Sequence, residues 1–275
     1  MRESEMIFLE DAKLILQNKY NIIYIGLYGA QNYNLQREGS DYDYKAVVVP
    51  SLDDIVYNRK PVSTTEELPF GQVDIKDIRL MVDQWKKGAS NFLELLFTKW
   101  YWINPDYPLM KNFRRFAENI AHANEPSAAR AMLGMIEEKN HALCHPYPVQ
   151  KEEIEKYGYA AKQLSHTARL FDMLKNYQNM SYKELLNPYD AECEYDYGKA
   201  RKTLFDFYKI LKTDHVFGNA EEAQKFSAEL VKQAKEFYES HKERYRMDAA
   251  LLDLMDTWKG GIIKTALKLE LKEEK

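Results

Sequence analysis

Residues 24–50, YIGLYGAQNYNLQREGSDYDYKAVVVP, constrain the fold more than any other stretch. Ile22, Ile23, Tyr24, Ile25 and Leu27 form an apolar, largely β-branched run that suits a buried strand. Gly29 and Ala30 then break it. A glycine after a strand lets the backbone pass close to a ligand, and a helix that follows can aim its N–H groups at phosphate. Gly39 and Ser40 form a second break, and Ser40-Asp41-Tyr42-Asp43-Tyr44 leads into a second strand. Val47, Val48 and Val49 continue that strand, and Pro50 ends it. Residues two apart on a strand share a face, so Asp41 and Asp43 are expected to project together, roughly 6–7 Å apart along the backbone. Two hard carboxylates beside a phosphate-binding turn suit Mg²⁺ or Mn²⁺.

This pattern resembles the nucleotidyltransferases of the DNA polymerase β superfamily. Their signature is an apolar strand, Gly with Gly or Ser, a spacer, and Asp-x-Asp on the next strand. Gly29 with Ala30 and Asp41-Tyr42-Asp43 are the matching residues. The stretch looks closest to the branch that includes the RNA-ligase-associated predicted nucleotidyltransferases, many of which read Gly-Ser-x-x-Tyr-Gly-Leu, a spacer, then Ser-Asp-Tyr-Asp. Two departures stand out: Ala30 occupies the usual Ser position, and Asn34 occupies the common Gly position after Tyr33. The resemblance implies a third carboxylate on the following strand, where Asp74 stands. It further implies that Gly29, Ala30, Gln31, Asn32 and Ser40 face the nucleotide phosphates. The later LELLF also matches the branch, with Glu94 as its acid. Glu94 is expected to be either a paired buried acid or a partner of the site. A Lys-x-x-x-His-x-x-Arg helix of the branch is matched by Lys162, His166 and Arg169, which share a helical face. The resemblance implies that they neutralise triphosphate charge. Without it, they read as the wet face of an amphipathic helix.

The 275 residues are enough for two domains or one large one, and 45% hydrophobic residues support a real core. A formal net charge of −4 gives no global basic field for nucleic acid. Cys144 and Cys193 are far apart and lack metal-ligand spacing, which fits a reducing cytoplasm and argues against a disulfide scaffold or zinc. The first residues carry charge too early for a signal peptide, and no apolar run is long enough to span a bilayer. The expectation is a cytoplasmic protein with no membrane partner.

The expected fold is α/β: a small mixed-sheet nucleotidyltransferase core over residues 1–106, then a helical domain over 107–275. Residues 5–19 read as a helix, with Ile7, Phe8, Leu14 and Ile15 supplying much of its apolar spacing. Residues 51–55 suit a short helix capped by Ser51. Residues 57–69, polar and Pro-bounded, read as a loop. Residues 71–75 read as a third strand and 77–87 as a helix stopped by Gly88. The apolar run 90–102 reads as another helix, with Phe92, Phe97, Trp100, Tyr101 and Trp102 in the core. Residues 108–119, 125–143, 151–177, 220–244 and 247–271 read as helices, the last interrupted at Gly260-Gly261. The acidic run 191–197, with Glu192, Glu194 and Asp196, reads as an irregular solvated loop.

The chemistry the resemblance implies is phosphoryl transfer from a nucleoside triphosphate to a hydroxyl, with Asp41, Asp43 and Asp74 as metal ligands and catalytic carboxylates. The acceptor stays open among RNA, a tRNA end, protein and a small molecule; the branch resemblance leans to RNA. The alternatives are a catalytically degenerate relative that binds nucleotide or protein, and a toxin-like enzyme that adenylylates protein.

Overall fold

The computed structural model describes residues 3–189 and 196–273. Two compact units emerge. The first comprises residues 1–124 and 247–275, the second residues 125–246. The position after residue 106, expected to end the core, therefore falls inside the first unit, and the last helix returns to that unit.

The first unit holds a five-stranded mixed sheet in the order β3-β4-β2-β1-β5. These strands are β1 (Ile22–Tyr28), β2 (Asp43–Val48), β3 (Ser63–Leu68), β4 (Gly71–Asp77) and β5 (Tyr101–Ile103). β2 and β4 run parallel, and every other neighbouring pair is antiparallel. The apolar run of β1 is buried on both faces, which places it centrally. Helix α1 (Glu3–Leu16) covers one face, laying Leu9, Ala12 and Leu16 against Ile25, Leu27, Tyr44, Ala46, Val48 and Ile75. Burial of each leucine contributes about 2 kcal/mol. This corrects the expected phase of the helix: Leu14 and Ile15 are exposed. Leu9, Ala12 and Leu16 also recur at helical spacing, and the small Ala12 lets the helix lie close to the sheet.

Leu52–Val56 forms helix α2 under a Ser51 capping box, as expected. Beyond β4 come α3 (Ile78–Lys86), α4 (Ser90–Leu93), a 3₁₀ turn (Glu94–Leu96), α5 (Met110–Arg115) and α6 (Ala117–Ala121). The C-terminal helix of this unit, Ala249–Glu273, joins them. Its Trp258 packs edge-on against Phe113 at 5.2 Å, and Phe113 in turn meets Trp85 at 5.0 Å. That helix is not interrupted at Gly260-Gly261. Leu109 fills the space where a Gly261 side chain would stand, and this packing outweighs the low helix propensity of glycine.

Two further expectations are corrected here. Residues 57–69 are not all loop, because β3 pairs antiparallel with β4 from Ser63–Lys76 to Leu68–Gly71. The run 90–102 is not one helix: it turns at Glu94–Leu96 and ends in the edge strand β5. Trp100 is buried, but Tyr101 is 38% exposed.

The second unit is helical: α7 (Glu125–Ala142), α8 (Lys151–Tyr157), α9 (Ala161–Asn176), α10 (Tyr182–Leu186), α11 (Asp196–Thr213) and α12 (Ala220–His241). The last helix of the chain, Ala249–Glu273, is α13. α9 is central and packs against α7, α11 and α12. The single helix expected over 151–177 is two, since Gly158 adopts a left-handed conformation (φ +81°) that caps α8. Glu192 and Glu194 lie outside the described residues.

Candidate active site

The β1–β2 hairpin builds the centre of the site. Register pairs Tyr28, the last residue of β1, with Asp43, the first of β2. Gly29 follows at φ +82°, and its hydrogen side looks towards Asp43 Oδ2, 3.9 Å from where a Cβ would stand. The Gly29 N–H donates to Glu94 Oε1 at 3.2 Å. Glu94 is 2% exposed, so the acid of the LELLF run is a buried partner of the turn. Asp41 precedes the strand and is exposed, so the strict two-residue alternation begins only at Asp43.

β4 adds the third expected acid. It runs parallel to β2 with Lys45 directly beside Asp74. Asp74 does not stand open. Lys45 Nζ lies 3.1 Å from Asp74 Oδ2, and Lys76 Nζ lies 3.3 Å from Asp74 Oδ1. The Lys45 side chain is 3% exposed. Its ammonium sits 3.8 Å from the centre of the Tyr28 ring and 4.6 Å from that of Phe92. Burial pushes the Lys45 pKa below the ordinary lysine value, with Asp74 and Asp43 opposing the shift. Burial also pushes the Tyr28 phenol well up, reinforced by Asp43, Glu94 and Asp74, while a hydrogen bond with Gln72 opposes it. Lys45, Lys76, Tyr28, Phe92 and Gln72 were not expected in the site. A signal for the lysines exists: Asp43-Tyr44-Lys45 and Asp74-Ile75-Lys76 repeat one Asp-x-Lys pattern on neighbouring parallel strands.

The expected phosphate turn is shorter and more internally committed than the sequence implied. It is a three-residue 3₁₀ turn, Gly29–Gln31, in place of a helix. Gln31 and Asn32 are buried. Asn32 Nδ2 donates to the Leu27 carbonyl, and its Oδ1 accepts from the Thr98 hydroxyl, both at 2.9 Å. Asn32 therefore clamps the turn. Ala30 is half-buried, and the Ser40 hydroxyl accepts from the Arg37 N–H at 3.0 Å, closing its own loop. The loop carrying Asp41 is seated by the Tyr42 N–H, which donates to the Phe70 carbonyl at 2.9 Å.

Among the described residues, no group of three or more His, Cys, Asp or Glu side chains is assembled to hold a metal ion. Asp41 and Asp43 supply the hard oxygens that Mg²⁺ takes from protein when waters and substrate phosphates complete its shell. The donor chemistry thus fits one such ion on this pair.

Elsewhere in the first unit, a cavity of about 460 Å³ is lined by Tyr101, Trp102, Ile103, Lys111 and Arg114. The Arg114 guanidinium lies 3.5 Å from the Tyr101 ring centre and donates to the Tyr24 hydroxyl and the Thr98 carbonyl, each at 2.8 Å. Burial pushes the Tyr24 phenol up to about 12, against the opposing charge of Arg114.

Lys162, His166 and Arg169 belong to the second unit, on α9. Lys162 is exposed, whereas Arg169 is 8% exposed, so this is not a uniformly wet face. Desolvation holds the His166 imidazole well below the ordinary histidine range, aided by Arg169, Lys162, Lys139 and Lys212. Lys139 on α7 and Lys212 on α11 thus extend the cationic set. They escaped the sequence reading because the set is assembled across three helices.

No protein-family model matches this chain. No curated protein matches it either. Among the described residues, no helix is long and apolar enough to cross a membrane.

Proposed function

We propose that this chain is a divalent-metal-dependent nucleotidyltransferase, moving a nucleoside monophosphate from a nucleoside triphosphate to a hydroxyl acceptor. The observation that carries the reading is the meeting of Gly29, Asp43 and Glu94 at the end of the β1–β2 hairpin, with Asp74 delivered beside it by parallel β4. In the reaction the acceptor oxygen attacks the α-phosphorus, its proton leaves to a base, and the bond to pyrophosphate breaks. Asp41 and Asp43 are the residues that would hold Mg²⁺ or Mn²⁺, which would supply Lewis-acid charge when bound. Asp43, half-buried and fixed by strand pairing, orients one carboxylate oxygen towards the turn. Glu94 holds the Gly29 N–H and so sets the turn's shape. Tyr28 and Phe92 keep water from Lys45.

The cationic set Lys162, His166 and Arg169, with Lys139 and Lys212, has the chemistry to take phosphate oxygens. Its assignment to the triphosphate rests on the family resemblance. RNA is the favoured acceptor. This choice rests on the family resemblance.

The test is pyrophosphate release from each nucleoside triphosphate with and without Mg²⁺ or Mn²⁺, for the unsubstituted chain and for Asp43→Asn. Divalent-dependent release that Asp43→Asn abolishes is the expected result; release of equal rate in the variant would falsify the assignment. A second reading, a nucleotide-binding relative without catalysis, is favoured by the lysines on Asp74 and by buried Gln31 and Asn32. It predicts nucleotide binding with no pyrophosphate. Transfer of α-phosphate label to protein, with none to RNA, would mark a protein-adenylylating enzyme.

A further inference from the structure

Both oxygens of Asp74 are already engaged by cations of the chain itself. Lys45 holds Oδ2 at 3.1 Å and Lys76 holds Oδ1 at 3.3 Å. Lys45 is the more consequential of the two. Its side chain is 3% exposed, and its ammonium is enclosed by the Tyr28 ring at 3.8 Å and the Phe92 ring at 4.6 Å. Ring faces attract a desolvated cation strongly, so they fix the ammonium where the strand register delivers it. Parallel pairing of β2 with β4 puts Lys45 directly abreast of Asp74, and Asp43 lies two residues before Lys45 on the same strand face. The ammonium therefore stands against Asp74, on the sheet face that also carries Asp43.

We propose that Lys45 is a built-in cation replacing the second metal of a two-metal centre. The site then takes one divalent ion, on Asp41 and Asp43, and Asp74 positions the ammonium instead of coordinating metal. Charge supports the count. Asp43, Asp74 and Glu94 all act on the Tyr28 phenol, and Lys45 and Lys76 offset two of those three negative charges. The carboxylate a second ion would need is therefore already neutralised. A second would lie against the Lys45 ammonium in a partly desolvated site, where like charges repel strongly. Lys45 is a positioning residue in this account: it orders Asp74 and limits the number of ions.

This inference rests on the nucleotidyltransferase reading, and the following experiment separates the two. Crystals of the full chain are soaked with Mn²⁺ and α,β-methylene ATP, and data are collected at the manganese edge. One anomalous peak at Asp43 is expected in the unsubstituted chain and in Lys45→Arg. Two peaks are expected in Lys45→Met, where Asp74 Oδ2 is released from the ammonium and Lys76 keeps only Oδ1. Two peaks sharing Asp74 in the unsubstituted chain overturn the inference and leave the enzyme reading standing. A single peak in a folded Lys45→Met also overturns it. Nucleotide bound elsewhere, or no peak at Asp43, overturns the nucleotidyltransferase reading and the inference with it. The count in the unsubstituted chain is decisive whether or not the Met variant folds.

Discussion

Gly71→Ala probes how the Asp41–Asp43 loop is seated. A Cβ at residue 71 would stand 2.1 Å from the Tyr42 carbonyl oxygen, 2.7 Å from its carbonyl carbon and 3.0 Å from its nitrogen. All three are main-chain atoms, so no rotamer change relieves the contact. Moving the loop away also strains the 2.9 Å hydrogen bond from the Tyr42 N–H to the Phe70 carbonyl. In addition, residue 71 sits at φ +156°, where a side chain is strained. Overpacking and backbone strain of this kind each cost about 1–3 kcal/mol, so a loss of about 3 kcal/mol is expected. For a domain of this size that lowers the melting temperature by roughly 6–12 °C. The four tryptophans, Trp85, Trp100, Trp102 and Trp258, all lie in the first unit, so tryptophan fluorescence during urea unfolding reports on that unit. Gly39→Ala is the control. Its φ is +77°, but nothing lies within 4 Å of the new Cβ, so it carries backbone strain without the clash. If Gly71→Ala costs no more than Gly39→Ala, the close approach of Tyr42 to β4 is absent. The argument that β4 supports the Asp-x-Asp loop then fails.

Three further outcomes are expected. Gly134→Ala, at an exposed position inside α7 with open space around it, should stabilise the second unit by about 0.5–1 kcal/mol in urea unfolding followed by circular dichroism. The depressed pKa of His166 means that the unfolded chain takes up a proton the folded chain refuses. Stability should therefore fall as pH drops below about 6.5, and His166→Gln should flatten that fall; an unchanged slope between pH 7 and 5 counts against the desolvated site. Asp172→Ala should destabilise by about 3 kcal/mol, because it strips Arg201, 4% exposed, of a carboxylate at 2.9 Å. Asp172→Leu with Arg201→Met should recover much of the loss in the same unfolding assay.

Strands β1, β2 and β4 were legible because buried strands concentrate β-branched residues into short runs. β3 was not, since STTEEL is a polar edge strand between prolines, and its pairing with β4 leaves little apolar alternation to read. β5 was hidden because Tyr101, Trp102 and Ile103 continue an apolar run that equally suits a helix. Capping chemistry was readable at Ser51, where side-chain and backbone partners are local. In the site, Gly29 and Asp43 were reachable from the strand-and-turn pattern, and Asp74 from the family resemblance. What spacing could not convey was the pairing of Asp74 with Lys45 and Lys76, which depends on strand register. Nor could it convey the inward commitment of Asn32, which depends on Thr98, distant in the chain.

The return of α13 to the sheet-bearing unit has a consequence for how the molecule is born. Asn124 bridges to Met247, the Asp248 N–H donates to the Ala123 carbonyl, and the Glu125 N–H donates to the Arg246 carbonyl. The chain therefore leaves the first unit after residue 124 and re-enters it at residue 247, with the helical unit inserted between those positions. Synthesis is vectorial, so the ribosome releases Trp85 and Phe113 long before Trp258, which completes their aromatic seam. A nascent chain must keep that seam covered while the whole insertion is made and folded. The insertion is also removable: Asn124 and Met247 are already adjacent, and joining residue 124 to residue 247 would let α13 reach its place without waiting.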